Sequence, residues 1–142
     1  MTETSGPALL HPGNVRIRDD GVATLLGARC DRCALVVFPA MPVCPRCRTA
    51  TMHEAELGRD ATLYSHAIAH VAPQGFTAPY YQAFVRLAEG PLAFTLIGRD
   101  VPVREGVLRD GAAMSLVIEP LADTPEKRRW LTYKYIPRES DA

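Results

Sequence analysis

The stretch CDRCALVVFPAMPVCPRC, residues 30–47, contains all 4 cysteines of the chain, arranged as two Cys-x-x-Cys pairs. A Cys-x-x-Cys turn directs two thiolates towards one point, and two such turns complete a tetrahedral site. We therefore predict a metal site with four ligands: Cys30, Cys33, Cys44 and Cys47. Zinc fits best, because it accepts four thiolates without a redox change and such closed sites are usually structural. Iron in the same cage is the alternative, since spacing does not separate the two metals.

The segment between the two pairs is apolar and prone to form a short strand that ends at Pro39 and Pro42. A knuckle, a short strand, a return and a second knuckle together predict a zinc ribbon of rubredoxin-like shape. We expect such a module to have almost no core of its own, so that the metal supplies much of its folding free energy. Leu35, Val37 and Phe38 then need apolar cover, and we predict that they contact a partner protein.

Composition and charge limit the classes of function. The chain has 142 residues, 47% of them hydrophobic, and a formal net charge of zero. No global electric field attracts nucleic acid or an anionic membrane, so we expect neither as a partner. The N-terminus lacks the pattern of an export signal, and no apolar run is long enough to span a bilayer. Reduced, metal-binding cysteines without an export signal favour the cytoplasm.

The second half of the chain alternates between apolar and polar residues in short runs. Predicted strands lie at 62–71, 80–87, 92–97, 112–119 and 130–136, with an irregular excursion at 98–111. In the first of these strands, strict alternation places Thr62, Tyr64, His66, Ile68 and His70 on one face. Five short strands with one longer excursion indicate a small Greek-key barrel of the OB type. The predicted fold is thus mostly β, a rubredoxin-like zinc ribbon followed by a five-stranded OB-fold barrel.

These patterns predict four segments. Residues 1–14 are a flexible tail, residues 15–57 an N-terminal hairpin and the zinc ribbon, residues 58–137 the OB-fold barrel, and residues 138–142 a second tail. The first tail is assigned from its prolines and glycines, which interrupt regular structure.

Several motifs together resemble a known family. They are Leu25-Leu26-Gly27 before the first knuckle, Phe38-Pro39, Gly58 at the barrel entry, and the closing Tyr133-Lys134-Tyr135-Ile136-Pro137. From about residue 22 to 137 the chain resembles the acyl-CoA-associated zinc-ribbon/OB-fold family. Its Leu-Leu-Gly entry is most similar to members paired with thiolases such as benzoylsuccinyl-CoA thiolase. Many members begin with an aromatic-rich helix, whereas this chain has a Pro/Gly-rich tail and a hairpin.

The resemblance implies a function. It implies a non-catalytic accessory subunit that binds a thiolase-like enzyme, either a thiolase or a lipid-transfer-protein-like aldolase. The complex would cleave or form carbon–carbon bonds on acyl-CoA substrates, with two copies of each chain. The cofactors implied are structural zinc and, as ligand of the complex, a coenzyme A thioester.

Candidate ligand-binding residues lie near the loop at 72–79. His70, Phe76, Tyr80 and Tyr81 are the predicted contacts of the acyl-CoA, because aromatic residues beside a loop often mark an interface. The same aromatic residues equally often close the end of a barrel. Ser65 and His66 are neighbours in a strand and point to opposite faces, so they do not form a nucleophile–base pair. We therefore predict no catalytic residue in this chain.

Two other functions use the same modules. Nucleic-acid-binding proteins combine zinc ribbons with OB barrels, but residues 58–122 contain five Arg and six Asp or Glu, whereas single-strand binders need a basic groove. A rubredoxin-like electron carrier would need iron at the four cysteines and has no obvious use for a barrel.

Overall fold

The computed structural model describes residues 7–138, and residues 1–6 and 139–142 of the two predicted tails lie outside the described residues. The strands are β1 Ala8–Leu9, β2 Val15–Ile17, β3 Ala23–Cys30, β4 Val36–Val37, β5 Met52–Leu57, β6 Asp60–Ala69, β7 Tyr80–Leu87, β8 Leu92–Ile97, β9 Ala113–Pro120 and β10 Trp130–Pro137. A 3₁₀ turn spans Pro12–Asn14 and the short helix α1 spans Pro125–Arg128. Between residues 7 and 138, no helix is long and apolar enough to cross a membrane.

The predicted barrel is confirmed. Strands run in the order β10-β8-β7-β6-β9, and β9 pairs with β10 to close the ring of five. The alternating pattern points Leu63, Val85, Met114 and Leu116 inward, and all four are almost completely buried. The barrel strands agree within two residues with the strands predicted from alternation. The mostly β fold, with a four-cysteine ribbon before the barrel, is therefore as predicted.

The ribbon sheet is built around β3. This strand pairs with β5 on one edge and with β2 and β4 on the other. We expected a ribbon with almost no core of its own, and its sheet shares the core of the barrel. Leu25, Val36 and Leu57 belong to the same apolar cluster as the barrel core. The reason is that β3 reads Ala-Thr-Leu-Leu-Gly-Ala, with no charge on either face, so both faces require cover.

A β-bulge in β6 changes which of its side chains face inward. The register with β7 shifts between Leu63 and Ser65, so Tyr64 points outward, and His66 then lies opposite the buried Ala83. Strict alternation had placed Tyr64 and His66 on one face, which the bulge contradicts. The sequence conceals the shift, because small or ambivalent residues occupy both faces of this strand.

The N-terminal segment is not a loose tail where the structure describes it. Strand β1 runs parallel to the start of β10, with Ala8 opposite Trp130 and Leu9 opposite Leu131. The amide of Ala8 donates to the carbonyl of Arg129 at 3.1 Å, and that of Leu10 donates to the carbonyl of Leu131 at 2.8 Å. Strand β8 pairs with β10 only at residues 134 and 135, so β1 satisfies backbone groups of β10 that would otherwise be unpaired.

Candidate functional site

The two cysteine knuckles have the same backbone geometry. In the first, the amide of Cys30 donates to the carbonyl of Leu35 at 2.9 Å, and the amide of Ala34 returns to the carbonyl of Cys30 at 2.9 Å. The second repeats both bonds at 2.9 and 2.7 Å, with Cys44, Thr49 and Arg48 in the equivalent positions. Ala34 and Arg48 have φ values of +66° and +61°, a left-handed conformation that turns the chain sharply after each pair. Two equivalent turns therefore face each other across one point.

The four sulfurs meet at that point. All four ligand atoms lie within 4.8 Å of one another. Cys30 and Cys47 are 3.9 Å apart, and Cys33 and Cys44 are 3.7 Å apart. A tetrahedral zinc site with Zn–S bonds of about 2.3 Å separates its sulfurs by roughly 3.8 Å. The geometry fits a four-thiolate zinc centre, and the structure brings the four predicted ligands together.

Hydrogen bonds to sulfur prepare the site for negative charge. The amide of Arg32 donates to Cys30 Sγ, and the amide of Cys47 donates to Cys44 Sγ, both at 3.3 Å. A hydrogen bond with Thr51, 3.2 Å from Cys30 Sγ, is the main cause that lowers the pKa of Cys30 to about 6. Conversely, hydrogen bonding with Cys33, together with burial, raises the pKa of Cys47 to about 12. Four adjacent thiols do not all ionise alone, and a divalent cation supplies the missing positive charge.

A cleft of about 250 Å³ lies between the ends of β7 and β8 and the loops at 98–104 and 121–123. Phe76 and Tyr80, two of the predicted acyl-CoA contacts, line its mouth with ring centroids 6.0 Å apart. The structure therefore places them together beside a cavity. We call this cavity the loop cleft.

Tyr81 also borders the loop cleft, but its hydroxyl group is already engaged. The residue is 3% exposed, and its hydroxyl donates to the carbonyl oxygen of Pro102 at 2.8 Å. The carbonyl oxygen of Arg104 is a second acceptor, 3.0 Å from the same hydroxyl oxygen. The amide of Arg104 donates back to the same oxygen at 3.3 Å. Tyr81 thus fixes the 98–104 loop that forms one wall.

His70 lies apart from the other three candidates. It borders a shallow depression that it shares with His66 and Glu105, and it does not line the loop cleft. His66 Nδ1 lies 2.7 Å from Asp110 Oδ1. The histidine that we singled out is therefore not grouped with Phe76 and Tyr80.

The predicted partner contacts divide in a similar way. Val37 and Phe38 line an apolar groove of about 530 Å³ on the ribbon, whereas Leu35 does not. We call it the ribbon groove, and its lining residues are Val36, Val37, Phe38, Pro39, Ala40, Met41, Pro45 and Pro91. The Phe38 ring also packs edge-on against Tyr133, with centroids 5.6 Å apart. Phe38 therefore holds the ribbon against the barrel as well as lining the groove.

Sequence reasoning missed two further features. One is Lys134, which lines the loop cleft and is 5% exposed, although a lysine in an alternating strand predicts a solvent-facing side chain. The other is an exposed aromatic surface on β6, β7 and β8, which we call the aromatic face: Tyr64, Phe84, Arg86, Leu92 and Phe94. The alternation of β7 and β8 did contain a signal for the second, because it places apolar residues at positions that point away from the core.

Two family models match adjoining parts of the chain. The ChsH2 rubredoxin-like zinc ribbon domain matches residues 24–53, and the ChsH2 C-terminal OB-fold domain matches residues 54–119. The chain therefore contains both ChsH2 domains, the zinc ribbon and the OB fold, in adjoining segments. The resemblance inferred from the sequence motifs is thereby confirmed, and so is the order of a zinc ribbon before an OB-fold barrel.

The relatives of this chain differ in their descriptions. A DUF35 domain-containing scaffold protein of Methanocaldococcus jannaschii is 41% identical over 69 residues, and the match spans 46% of this chain and about half, 49%, of that relative. The benzoylsuccinyl-CoA thiolase subunit BbsA of Thauera aromatica is 26% identical over 126 residues, 88% of this chain and 85% of BbsA. The Ltp2-ChsH2(DUF35) aldolase structure is similar with a TM-score of 0.63 and 26% identity, over 80% of this chain and 84% of that chain.

Proposed function

We propose that this chain is a non-catalytic accessory subunit that binds a thiolase-like enzyme and supports carbon–carbon bond cleavage or formation on acyl-CoA substrates. Two relatives of this chain support the class of partner, since one is a thiolase subunit and the other belongs to an aldolase. The observation that carries the proposal is an exposed apolar surface that extends over both the ribbon and the barrel.

The ribbon groove and the aromatic face adjoin each other. Pro91 lines the groove, and the next residue, Leu92, begins β8 on the aromatic face. Across the β7–β8 pairing, Leu92 lies opposite Arg86 and Phe94 lies opposite Phe84. The rings of Phe84 and Phe94 are 5.7 Å apart, and the Arg86 guanidinium lies 5.2 Å from the centre of the Tyr64 ring. These pairs connect the aromatic face, and Pro91 and Leu92 join it to the ribbon groove along the chain.

This surface has the composition of a protein interface. Tyr64, Phe84 and Phe94 are 54%, 44% and 47% exposed, and Met41 of the ribbon groove is 44% exposed. Monomeric proteins rarely expose contiguous apolar surface of this kind. Interface centres are enriched in aromatic residues and arginine and depleted of other charges, which describes the aromatic face with its single Arg86. The surface therefore favours an obligate protein partner.

The proposal also covers the metal, the ligand, the stoichiometry and the location of the complex. The four cysteines hold one structural zinc, which fixes the knuckles beside the ribbon groove. The acyl-CoA contacts the chain at the loop cleft, and two copies of each subunit assemble around the dimer of the enzyme in the cytoplasm. The ribbon unit ends and the barrel unit begins at residues 57 and 58.

The experiment is reconstitution of activity. A thiolase-like enzyme from the same organism, beginning with any encoded beside this chain, is purified alone and together with it. We expect carbon–carbon cleavage of acyl-CoA substrates to require both chains, and the isolated chain to show no turnover. Full activity of the enzyme alone, or turnover by the isolated chain that one of its own substitutions abolishes, would contradict the proposal.

The aromatic face also meets one requirement of nucleic-acid binding. OB folds bind oligonucleotides on their second and third strands, and here those strands, β7 and β8, carry Phe84 and Phe94. The face has only Arg86 as a cation, which is a weak basic groove. Salt-dependent binding of a fluorescent single-stranded oligonucleotide by the pure chain would favour this second function over the first.

A further inference from the structure

Lys134 is a buried cation at the wall of a cavity. The residue is 5% exposed, and it lines the loop cleft. Among residues 7–138, the only carboxylate oxygen within 4.0 Å of its Nζ belongs to Glu119, at 3.4 Å. An ammonium group carries three hydrogens to donate, and one distant carboxylate oxygen cannot satisfy all of them. Nζ therefore has hydrogens left to donate to an acceptor in the cleft.

The partner of Lys134 is itself shared. Glu119 Oε1, the oxygen nearest to Nζ, also accepts a hydrogen bond from the amide of Arg99 at 2.9 Å. Glu119 is therefore held by the backbone of the cleft wall as well as by the lysine. It neutralises the charge of Lys134 but leaves donor capacity free on Nζ. Lys134 is one of the residues that line the cleft, so this capacity lies at the cleft wall.

Charges around the loop cleft cancel. The Arg99 guanidinium pairs with Asp123 Oδ1 at 3.1 Å, as Lys134 pairs with Glu119. The other lining side chains are mostly apolar or aromatic, among them Phe76, Tyr80 and Val101. A carboxylate ligand would lie beside Glu119 without any excess of positive charge to hold it. A neutral group with an exposed lone pair is the better match.

The walls of the loop cleft are held in place by hydrogen bonds. Tyr81 fixes the 98–104 loop, and Thr124 Oγ1 donates to the carbonyl of Gly75 at 2.7 Å, which fixes the loop that carries Phe76. A preformed cleft binds a ligand with a smaller entropic loss than a flexible loop would. At about 250 Å³ it is smaller than the sites that hold drug-sized ligands, so it accepts a chain fragment.

We infer that the loop cleft binds a neutral, chain-like ligand with a carbonyl oxygen, and that this oxygen accepts a hydrogen bond from Lys134 Nζ. The inference rests on the proposed function for the source of such a ligand: an acyl-CoA presents carbonyl groups along a flexible apolar chain. Lys134 is a specificity-determining residue in this account. It selects for a carbonyl acceptor, and the pairing with Glu119 selects against a negative charge.

The test uses the isolated full-length chain with zinc bound and two small probes. N-methylhexanamide and hexanoate have the same chain and the same carbonyl position, but only hexanoate is charged. Each is titrated into ¹⁵N-labelled protein and followed by amide chemical shifts. We expect N-methylhexanamide to shift the amides of Gly98, Val101 and Lys134, and to bind at least as tightly as hexanoate. No shift at these amides, or clearly tighter binding of hexanoate, would overturn the inference.

Substitutions separate Lys134 from general effects of charge. Lys134→Met should weaken binding of N-methylhexanamide by about tenfold or more, because a hydrogen bond from a charged donor is lost. Lys127→Met is the matched control, since the Nζ of this lysine lies over the Phe76 ring and Lys127 does not line the cleft. It should change binding less than about twofold. Equal losses in both variants would contradict the role of Lys134.

Failure of this inference and failure of the proposed function are distinguishable. Partner binding depends on the ribbon groove and the aromatic face, and neither includes Lys134. If Lys134→Met does not fold, the wild-type shifts at Gly98 and Val101 and the comparison of the two probes still decide the question. Assembly with the enzyme but no binding of the amide probe would remove the cleft inference alone.

Discussion

The knuckles and the barrel are stabilised by different means. Residues 30–34 and 44–48 are ordered by backbone hydrogen bonds, by amide-to-sulfur bonds and by convergence of the four thiols. The barrel is ordered by a packed apolar core that includes Leu63, Val85, Met114 and Leu116. We therefore propose that the knuckles depend on a metal ion, whereas the barrel depends on burial of apolar area.

The boundary between the two regions falls within a single strand. In β3, residues 23–28 are buried and Ala23 and Leu25 belong to the shared core, whereas Cys30, at the end of the same strand, is a predicted zinc ligand. The ribbon is therefore not one unit energetically. Its sheet is held by the barrel, and its knuckles are held, in our proposal, by the metal.

The largest expected effect comes from breaking the metal site alone. Cys44→Ser should reduce zinc from about one equivalent per chain to near zero, because a hydroxyl replaces one of four thiolate ligands. Hydrogen exchange should then lose protection at 30–50 while the amides of β7 and β8 stay protected. Metal analysis and exchange by mass spectrometry measure both.

The matched control is Met41→Ser, an exposed position in the same segment, which should keep the zinc. Retention of zinc in Cys44→Ser would contradict the predicted ligand set. Loss of protection throughout the barrel would contradict the separation of the two regions. Iron in the wild-type protein would contradict the choice of metal but not the ligands.

The next effect concerns the surface that both regions share. Phe94→Asp should weaken assembly with the enzyme by about 2 kcal/mol or more, because a charge replaces a central aromatic side chain. Ile17→Asp is the control, since Ile17 and Phe94 are both 47% exposed and Ile17 lies outside the ribbon groove and the aromatic face. Titration calorimetry or size exclusion gives the difference. Phe38→Asp is less informative, because it also removes the contact with Tyr133.

A smaller effect is expected at the boundary strand itself. A Cβ atom on Gly27 would collide with the carbonyl oxygen of Val37, so Gly27→Ala forces β3 and β4 apart. We expect a loss of roughly 1–3 kcal/mol in the free energy of unfolding of the zinc-bound protein. Gly13→Ala meets nothing within 4 Å and should change stability by less than about 0.5 kcal/mol. Equal urea midpoints for the two variants would show that the close contact between Gly27 and Val37 does not contribute to stability.

The smallest effect is confined to alkaline pH. Burial raises the pKa of Tyr133 to about 12, above the ordinary value of about 10. Because the folded-state pKa is the higher one, the neutral phenol contributes stability below pH about 10, and this is lost as pH rises towards 12. Burial raises the pKa of Tyr135 as well.

Ultraviolet absorbance should therefore show a late tyrosinate step that coincides with loss of the circular dichroism signal. Tyr133→Phe should reduce the amplitude of that step, whereas Tyr64→Phe, at an exposed position, should not. Ionisation of all tyrosines in one step near pH 10, with the fold intact, is the outcome that would refute the effect of partial burial on Tyr133.

The sequence predicted those features that depend on local pattern. Cysteine spacing identified the knuckles, and period-two alternation identified the barrel strands. The bulge at Tyr64 was not predictable, because Ser65 and Ala67 are compatible with either face. Strand β1 has only two residues and exists because β10 leaves backbone groups unpaired there. Burial of Lys134 arises from loops that are distant in sequence, which no local pattern encodes.

The accessory-subunit account is tested most directly by the mass of the assembly. The chain is co-expressed with the thiolase-like enzyme, and the purified material is examined by native mass spectrometry with its zinc retained. The account predicts one complex with two copies of each chain and about one zinc for each copy of this chain. Separate masses for the enzyme and for this chain, at concentrations where both are folded and zinc is bound, would contradict it.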